Sequence, residues 1–481
     1  MLFSSITFLW IFLPALIVIY FLAKKFFPKA RNYILLIFSL LFYAWGEPKY
    51  IILMIVSILM NYVFGILIAK YSVKKGTRKK KHPTKQTVVL VLSIVANIAL
   101  LAHFKYANFF IDSINNVFGS NFNIGAIALP IGISFYTFQI MSYIIDLYRG
   151  EIKVQKNPFK LALYISFFPQ LIAGPIVKYK DIDEAIDSRK ETIEGFAYGI
   201  KRFIYGLAKK VLIADAMASV ADIVFGANVG GLTAPMAWLG ALCYALQIFF
   251  DFSGYSDMAI GLGSMFGFKF MENFNLPYIS GSITEFWRRW HISLSTWFKE
   301  YLYIPLGGNR KGKTRTYINL WIVFLATGIW HGAAWNFVFW GLFHGFFIFI
   351  ERVGLKKILD RRKVLGHFYT LFVVLIGWVF FRASGIKHAL KYLKVMFFGQ
   401  TLETVPLQSW QFINHRMIII LFIAIALCGI TQIIFRKIKL KETVKSSIKK
   451  YAEPVCLVVL FSLCILAIAS NTYTSFIYFR F

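Results

Sequence analysis

The chain reads as an all-α, polytopic integral membrane protein, and three observations point there. Hydrophobic residues fill 58% of its 481 positions and charged residues only 16%, against roughly 25% in a soluble domain. Mean hydropathy is +0.64. The apolar residues come in repeated runs, many long enough to cross a core of about 30 Å, which takes about 20 helical residues. These runs are continuous, whereas the strands of a membrane barrel alternate. The expected architecture is one transmembrane domain over residues 1–481, with roughly 11–13 helical segments. Some of them should be broken or re-entrant around a central tunnel.

Taken in order, the expected segments are 6–23, 33–45, 51–69, 87–103, 126–148, 161–177, 196–225 and 236–268, the last four in broken form. After a polar interval come 317–335, 337–350, 368–381, 417–435 and 455–469. The first has no basic residue ahead of it and Lys24-Lys25 behind it, so it reads as a retained helix rather than a cleaved signal peptide. The loops at 24–31, 70–85, 310–315, 356–363 and 436–450 are basic. Placing all five in the cytoplasm is self-consistent and puts both termini outside. The net charge of +31 therefore reflects topology, and nucleic acid is not an expected partner. A basic inner face would still attract anionic lipid and an anionic acyl donor.

Helix breakers interrupt three apolar stretches. Pro130 and Gly132 precede Phe135; Pro169 and Pro175 lie in FFPQLIAGP (167–175); Gly254 sits between Asp251 and Asp257. Irregular backbone at membrane depth needs protein or a water-filled cavity around it, so these breaks predict re-entrant segments. Simple proline kinks are the alternative for each one alone. Cys243, Cys428, Cys456 and Cys464 lie in apolar runs without CxxC spacing, as small core residues do. No metal site is expected.

Two histidines stand out. Residues 317–350 contain no Asp, Glu, Lys or Arg, yet carry His331 near the middle. A titratable group there is costly and marks a functional candidate. Forty positions earlier (331 − 291) is His291, in FWRRWH. Ser282-Ile283-Thr284-Glu285 matches a capping box and predicts a helix running to Tyr303, before Pro305. On it Trp287, Trp290, His291, Leu294 and Phe298 share a face, and Glu285 pairs with Arg289. The plainer readings are an interfacial histidine for His291 and a hydrogen-bonded core histidine for His331. His344 shares the apolar segment and is compatible with a structural role.

FFPQLIAGPIVKYK (167–180), DFSGYSDMAIGLG (251–263), EFWRRWHISLSTWFKEYLYIPLGGN (285–309) and TGIWHGAAW (327–335) together resemble the membrane-bound O-acyltransferase family. The bacterial branch acting in alginate O-acetylation, peptidoglycan O-acetylation and teichoic-acid D-alanylation is the most similar. The resemblance implies that His331 is catalytic and His291 its polar partner. It implies an acyl thioester donor, acetyl-CoA or an acyl carrier protein, used from the cytoplasm with no bound cofactor. The acceptor would lie outside, with a secreted or membrane-anchored SGNH-type acyltransferase as partner. Acetyl is the acyl group it points to; D-alanyl is the alternative. Arg288 and Arg289 are candidates for the donor's phosphates, because guanidinium suits phosphate oxygens. A transporter or flippase would also have broken helices and buried titratable groups, but it should show related halves, and the interruptions here are confined to the middle. The tail SFIYFRF (475–481) resembles a Phe-x-Tyr-Phe ending of the same branch. Tyr478 is thus a candidate acyl carrier, its phenol leaving more readily than an alcohol; an interfacial aromatic anchor is the alternative.

Overall fold

The computed structural model describes residues 1–72, 84–399, 413–432, 434 and 446–470. The described residues are 80% helical, with no strand among them. Seven of the described helices are long and apolar enough to cross a membrane. Contacts group the chain into two compact units, residues 1–200 with 259–271, and residues 201–258 with 272–481.

The first unit holds α1 (Leu13–Phe26), α2 (Arg31–Gly46), α3 (Ile51–Lys70), α4 (Lys85–Phe118) and α5 (Ile133–Arg149). It continues through α6 (Pro158–Ser166), α7 (Phe168–Leu171) and α8 (Tyr179–Ser188). Asn61 of α3 and Asn97 of α4 exchange amide hydrogen bonds at 3.0 and 2.8 Å, a polar clasp between apolar helices. The expected break at 167–175 is present: Phe167 separates α6 from α7, and non-helical chain follows Leu171. The break at Gly132 packs against it. Gly132 has φ +77°, and a Cβ there would lie 2.8 Å from the Leu171 carbonyl oxygen, so glycine is needed on both counts. Two of the basic loop's cations have a further role beyond topology, as Lys24 and Arg31 close onto buried Glu191 at 3.1 and 2.9 Å.

α9 (Ile193–Ala208) and α11 (Ala234–Met265) have residues in both units. The second unit adds α10 (Asp215–Gly226), α12 (Ile283–Arg289), α13 (Ile292–Phe298), α14 (Gly312–His331) and α15 (Trp335–Ile350). It ends with α16 (Lys356–Arg361), α17 (Lys363–Arg382), α18 (Ile386–Phe398), α19 (His415–Ile425) and α20 (Glu453–Ser470). An aromatic core including Trp287, Trp290, Trp340 and Trp378 fills it.

Two expectations fail in this unit. The stretch 251–257 is no break; it lies within continuous α11. Its carboxylates are compensated, which lets the helix carry them. Lys210 sits 2.9 Å from Asp251 and 2.7 Å from Asp215, while Arg202 and Lys209 each reach Asp257 at 2.6 Å. Gly254 serves close helix approach, since a Cβ there would lie 2.7 Å from the Gly206 carbonyl oxygen. Residues 282–303 are likewise not one helix. α12 stops at Arg289, α13 starts at Ile292, and a π turn spans Lys299–Tyr303. The five residues expected on one face are all buried, but a sharp turn rather than helical periodicity brings them inward.

Candidate active site

α14 and α15 form a hairpin whose turn is Gly332–Ala334. Small residues let the two helices touch. A Cβ on Gly328 would lie 2.4 Å from the Phe337 carbonyl oxygen, and one on Gly341 would lie 2.3 Å from that of Phe324. At Gly332 a Cβ would fall 2.2 Å from the Phe337 ring. The glycines of TGIWHGAAW thus build the turn that ends α14 at His331. His331 is 5% exposed. The rings of Trp330, Trp340 and Phe381 enclose it edge-on, at centroid distances of 5.0, 5.0 and 5.3 Å. His344 is packed between Trp340 and Trp287 at 5.1 and 5.2 Å.

His291 sits in the turn between α12 and α13, completely buried. Its backbone is left-handed, φ +45°; among the described residues only Leu276 shares a positive φ without being glycine. Such strain persists only where the surroundings enforce it. Two backbone hydrogen bonds do so here: Asn275 N–H donates to the Arg289 carbonyl and Ile292 N–H to the Asn273 carbonyl, both at 2.9 Å. The side chain of Asn273, a residue the sequence reading missed, completes the clamp. Its Oδ1 accepts from the Ser293 N–H at 3.2 Å, which identifies that atom as the oxygen. His291 Nδ1, 3.1 Å from it, therefore carries the proton, and Nε2 is the ring's basic nitrogen. Burial pushes the His291 imidazole down to about 3, so it is neutral at physiological pH. Its ring and that of His331 border the same indole, Trp330, at 6.2 and 5.0 Å.

A cavity of about 410 Å³ has Ile292, the neighbour of His291, and Thr327 in its lining, though neither histidine lines it. Buried Trp287, Phe298, Phe324 and Thr327 line its depth, and exposed Arg288, Lys299 and Arg352 form its rim. Thr327 is one turn before His331 on α14. Arg288 lines this cavity and Arg289 does not. Arg289 pairs with Glu285 at 2.9 Å and donates to the Asn275 carbonyl at 3.1 Å, bracing the His291 turn. The capping box is half-formed: the Ser282 hydroxyl accepts the Glu285 N–H at 3.1 Å, but the Glu285 carboxylate bonds Gly281 rather than Ser282. Lys299 and Arg352 were missed; each sits beside an acidic neighbour in sequence, Glu300 and Glu351, and only folding puts the two cations on one rim. Tyr478 lies outside the described residues.

The family model for membrane-bound O-acyltransferases matches residues 40–384. The chain belongs to this family. It is an O-acyltransferase. It is 43% identical to a probable alginate O-acetylase of Pseudomonas aeruginosa, over 90% of this chain and 82% of that protein. It is 38% identical to a peptidoglycan O-acetyltransferase of Helicobacter pylori, over 86% of this chain and 84% of that protein. Identity to a teichoic acid D-alanyltransferase of Bacillus subtilis is 31%, over 54% of this chain and 70% of that one. The matched region of the O-acyltransferase contains Asn273, His291, the hairpin with His331 and the whole cavity rim.

Proposed function

We propose that this O-acyltransferase takes an acetyl group from a cytoplasmic thioester and passes it to a hydroxyl on the outer side, for O-acetylation of an extracytoplasmic polysaccharide or cell-wall polymer. The cavity whose lining reaches Thr327, one turn before His331, is the observation that carries this reading. Its rim is cationic, its depth is apolar, and its α14 lining runs from Leu320 to Thr327, about 10 Å of helix. That shape suits a donor with phosphates at one end and a thioester at the other. The rim lies next in sequence to the basic loops 310–315 and 356–363, which the positive-inside rule places in the cytoplasm.

His331 acts as base in this scheme. It takes the proton of the acceptor hydroxyl as the oxygen attacks the thioester carbonyl. Collapse of the adduct breaks the C–S bond, and the departing thiolate takes the proton from the imidazolium. The basic Nε2 of His291 suits sharing the hydroxyl proton better than donating to a carbonyl. Acetyl is favoured over D-alanyl because the two acetyl-transferring relatives match most of the chain and the D-alanyl relative about half. An SGNH-type transferase outside would receive the product.

The test uses cells and oriented membranes. His331→Gln should insert at the wild-type level and leave the extracellular polymer without O-acetyl esters. Labelled acetyl-CoA should support transfer in inverted vesicles and not in sealed right-side-out ones. Wild-type acylation by the variant removes His331 from the chemistry; equal labelling in both orientations removes the cytoplasmic donor.

A further inference from the structure

Glu351 follows directly on α15 and is buried, at 1% exposure. Its side chain crosses to the start of α12. Oε1 accepts the Ile283 N–H at 2.6 Å, and Oε2 accepts both the Thr284 N–H at 2.9 Å and the Thr284 hydroxyl at 2.6 Å. Carboxylates that accept backbone N–H groups at a helix start make strong, directional bonds. α12 has seven residues, too few to hold its own orientation, since isolated helices shorter than about 12 residues are marginal. What anchors its two ends decides where its side chains go. The far end is braced by Arg289 on Glu285 and Asn275. The near end is held by Glu351.

Between these anchors lie Trp287 and Arg288, both on the cavity wall. On the other side of the staple, Ile348 and Arg352 flank Glu351 in sequence and line the same cavity. We propose that Glu351 is a positioning residue for donor binding: by tying the α12 start to the α15 end it sets how Arg288 and Arg352 face one another across the cavity. This rests on reading that cavity as the donor site. The same contacts would also stabilise the helix start, so the experiment has to separate the two effects.

In Glu351→Gln one oxygen acceptor becomes an NH2 group facing a backbone donor, so the staple loosens without a change in size. With purified protein, acetyl-CoA KM and the Kd for free CoA should each rise about tenfold, as small misplacements of binding groups do. kcat should stay within about twofold of wild type. Ser282→Ala, which removes a cap on the same helix without touching the cavity, should lower the thermal midpoint and leave KM unchanged. If Glu351→Gln does not fold, Glu351→Asp, with the carboxylate at shorter reach, is held to the same outcomes. A folded variant with wild-type KM and Kd overturns the positioning role alone. A wild-type protein that does not bind CoA overturns the donor reading of the cavity and this role with it.

Discussion

Arg288 and Arg289 are adjacent in sequence and do different jobs, because one reaches the cavity rim and the other turns back onto Glu285 and Asn275. Arg288→Ala and Arg352→Ala should therefore raise donor KM by about tenfold each, the order of one charge-assisted contact. Arg289→Ala should lower stability and raise KM less than Arg288→Ala does, since it loosens a partly exposed brace of α12 and removes no donor contact. Steady-state kinetics with acetyl-CoA separates the two; equal effects on KM would return Arg289 to the donor site. His291 allows a pH test. Its folded pKa, about 3, lies below the unfolded value of about 6.5. The unfolded chain then binds the proton first, so the folded state keeps its full stability above pH about 6.5 and loses it as pH falls toward 3. By pH 5 the loss is on the order of 2 kcal/mol. The thermal midpoint of wild type should fall more between pH 7.5 and 5 than that of His291→Gln, and equal falls would mean that the ring is hydrated.

At the scale of elements, the α14–α15 hairpin is set by contacts between glycine backbones and neighbouring carbonyls. Gly328→Leu should force the helices apart and prevent recovery of folded protein. Gly332→Ala should cost about 1–3 kcal/mol through its clash with Phe337 and displace His331, lowering activity more than stability. Gly385→Ala, with open space at its Cβ position, is the matched control and should be silent in both. Expression yield, thermal midpoint and acylation of the three variants check this. The same comparison shows where pattern reading reaches its limit. The apolar runs, the hairpin segments and the Glu285–Arg289 pair were legible because each depends on local periodicity. The break at His291 was not. A helical face and a turn stapled by Asn273, eighteen residues away (291 − 273), give the same buried set of Trp287, Trp290, His291, Leu294 and Phe298. Only hydrogen bonds distant in sequence distinguish them. Asp251 and Asp257 misled for a related reason: a carboxylate in an apolar run reads as an interruption until its lysine or arginine partner, on another helix segment, is known.

Over the whole molecule, the basic loops predict that both termini lie outside. A reporter active only in the cytoplasm should be silent when fused after Phe481 and active when inserted at Lys79; the reverse pattern would invert the donor side. With the tail outside, Tyr478→Phe tests the acyl carrier. It keeps the ring and removes the hydroxyl, so an anchor survives the change, whereas a carrier loses all polymer acylation. The wild-type C-terminal peptide should also gain the mass of one acyl group when the secreted partner is deleted. Membrane class, all-helical character, the family and the two candidate histidines were legible in the sequence, because hydrophobic burial in a bilayer and short glycine-rich motifs act locally along the chain. The tautomer of His291, the rim of Arg288, Lys299 and Arg352, and the Glu351 staple were decided by tertiary structure. Each depends on groups far apart in the chain meeting within hydrogen-bond or cavity distance, and no periodicity in the sequence records that.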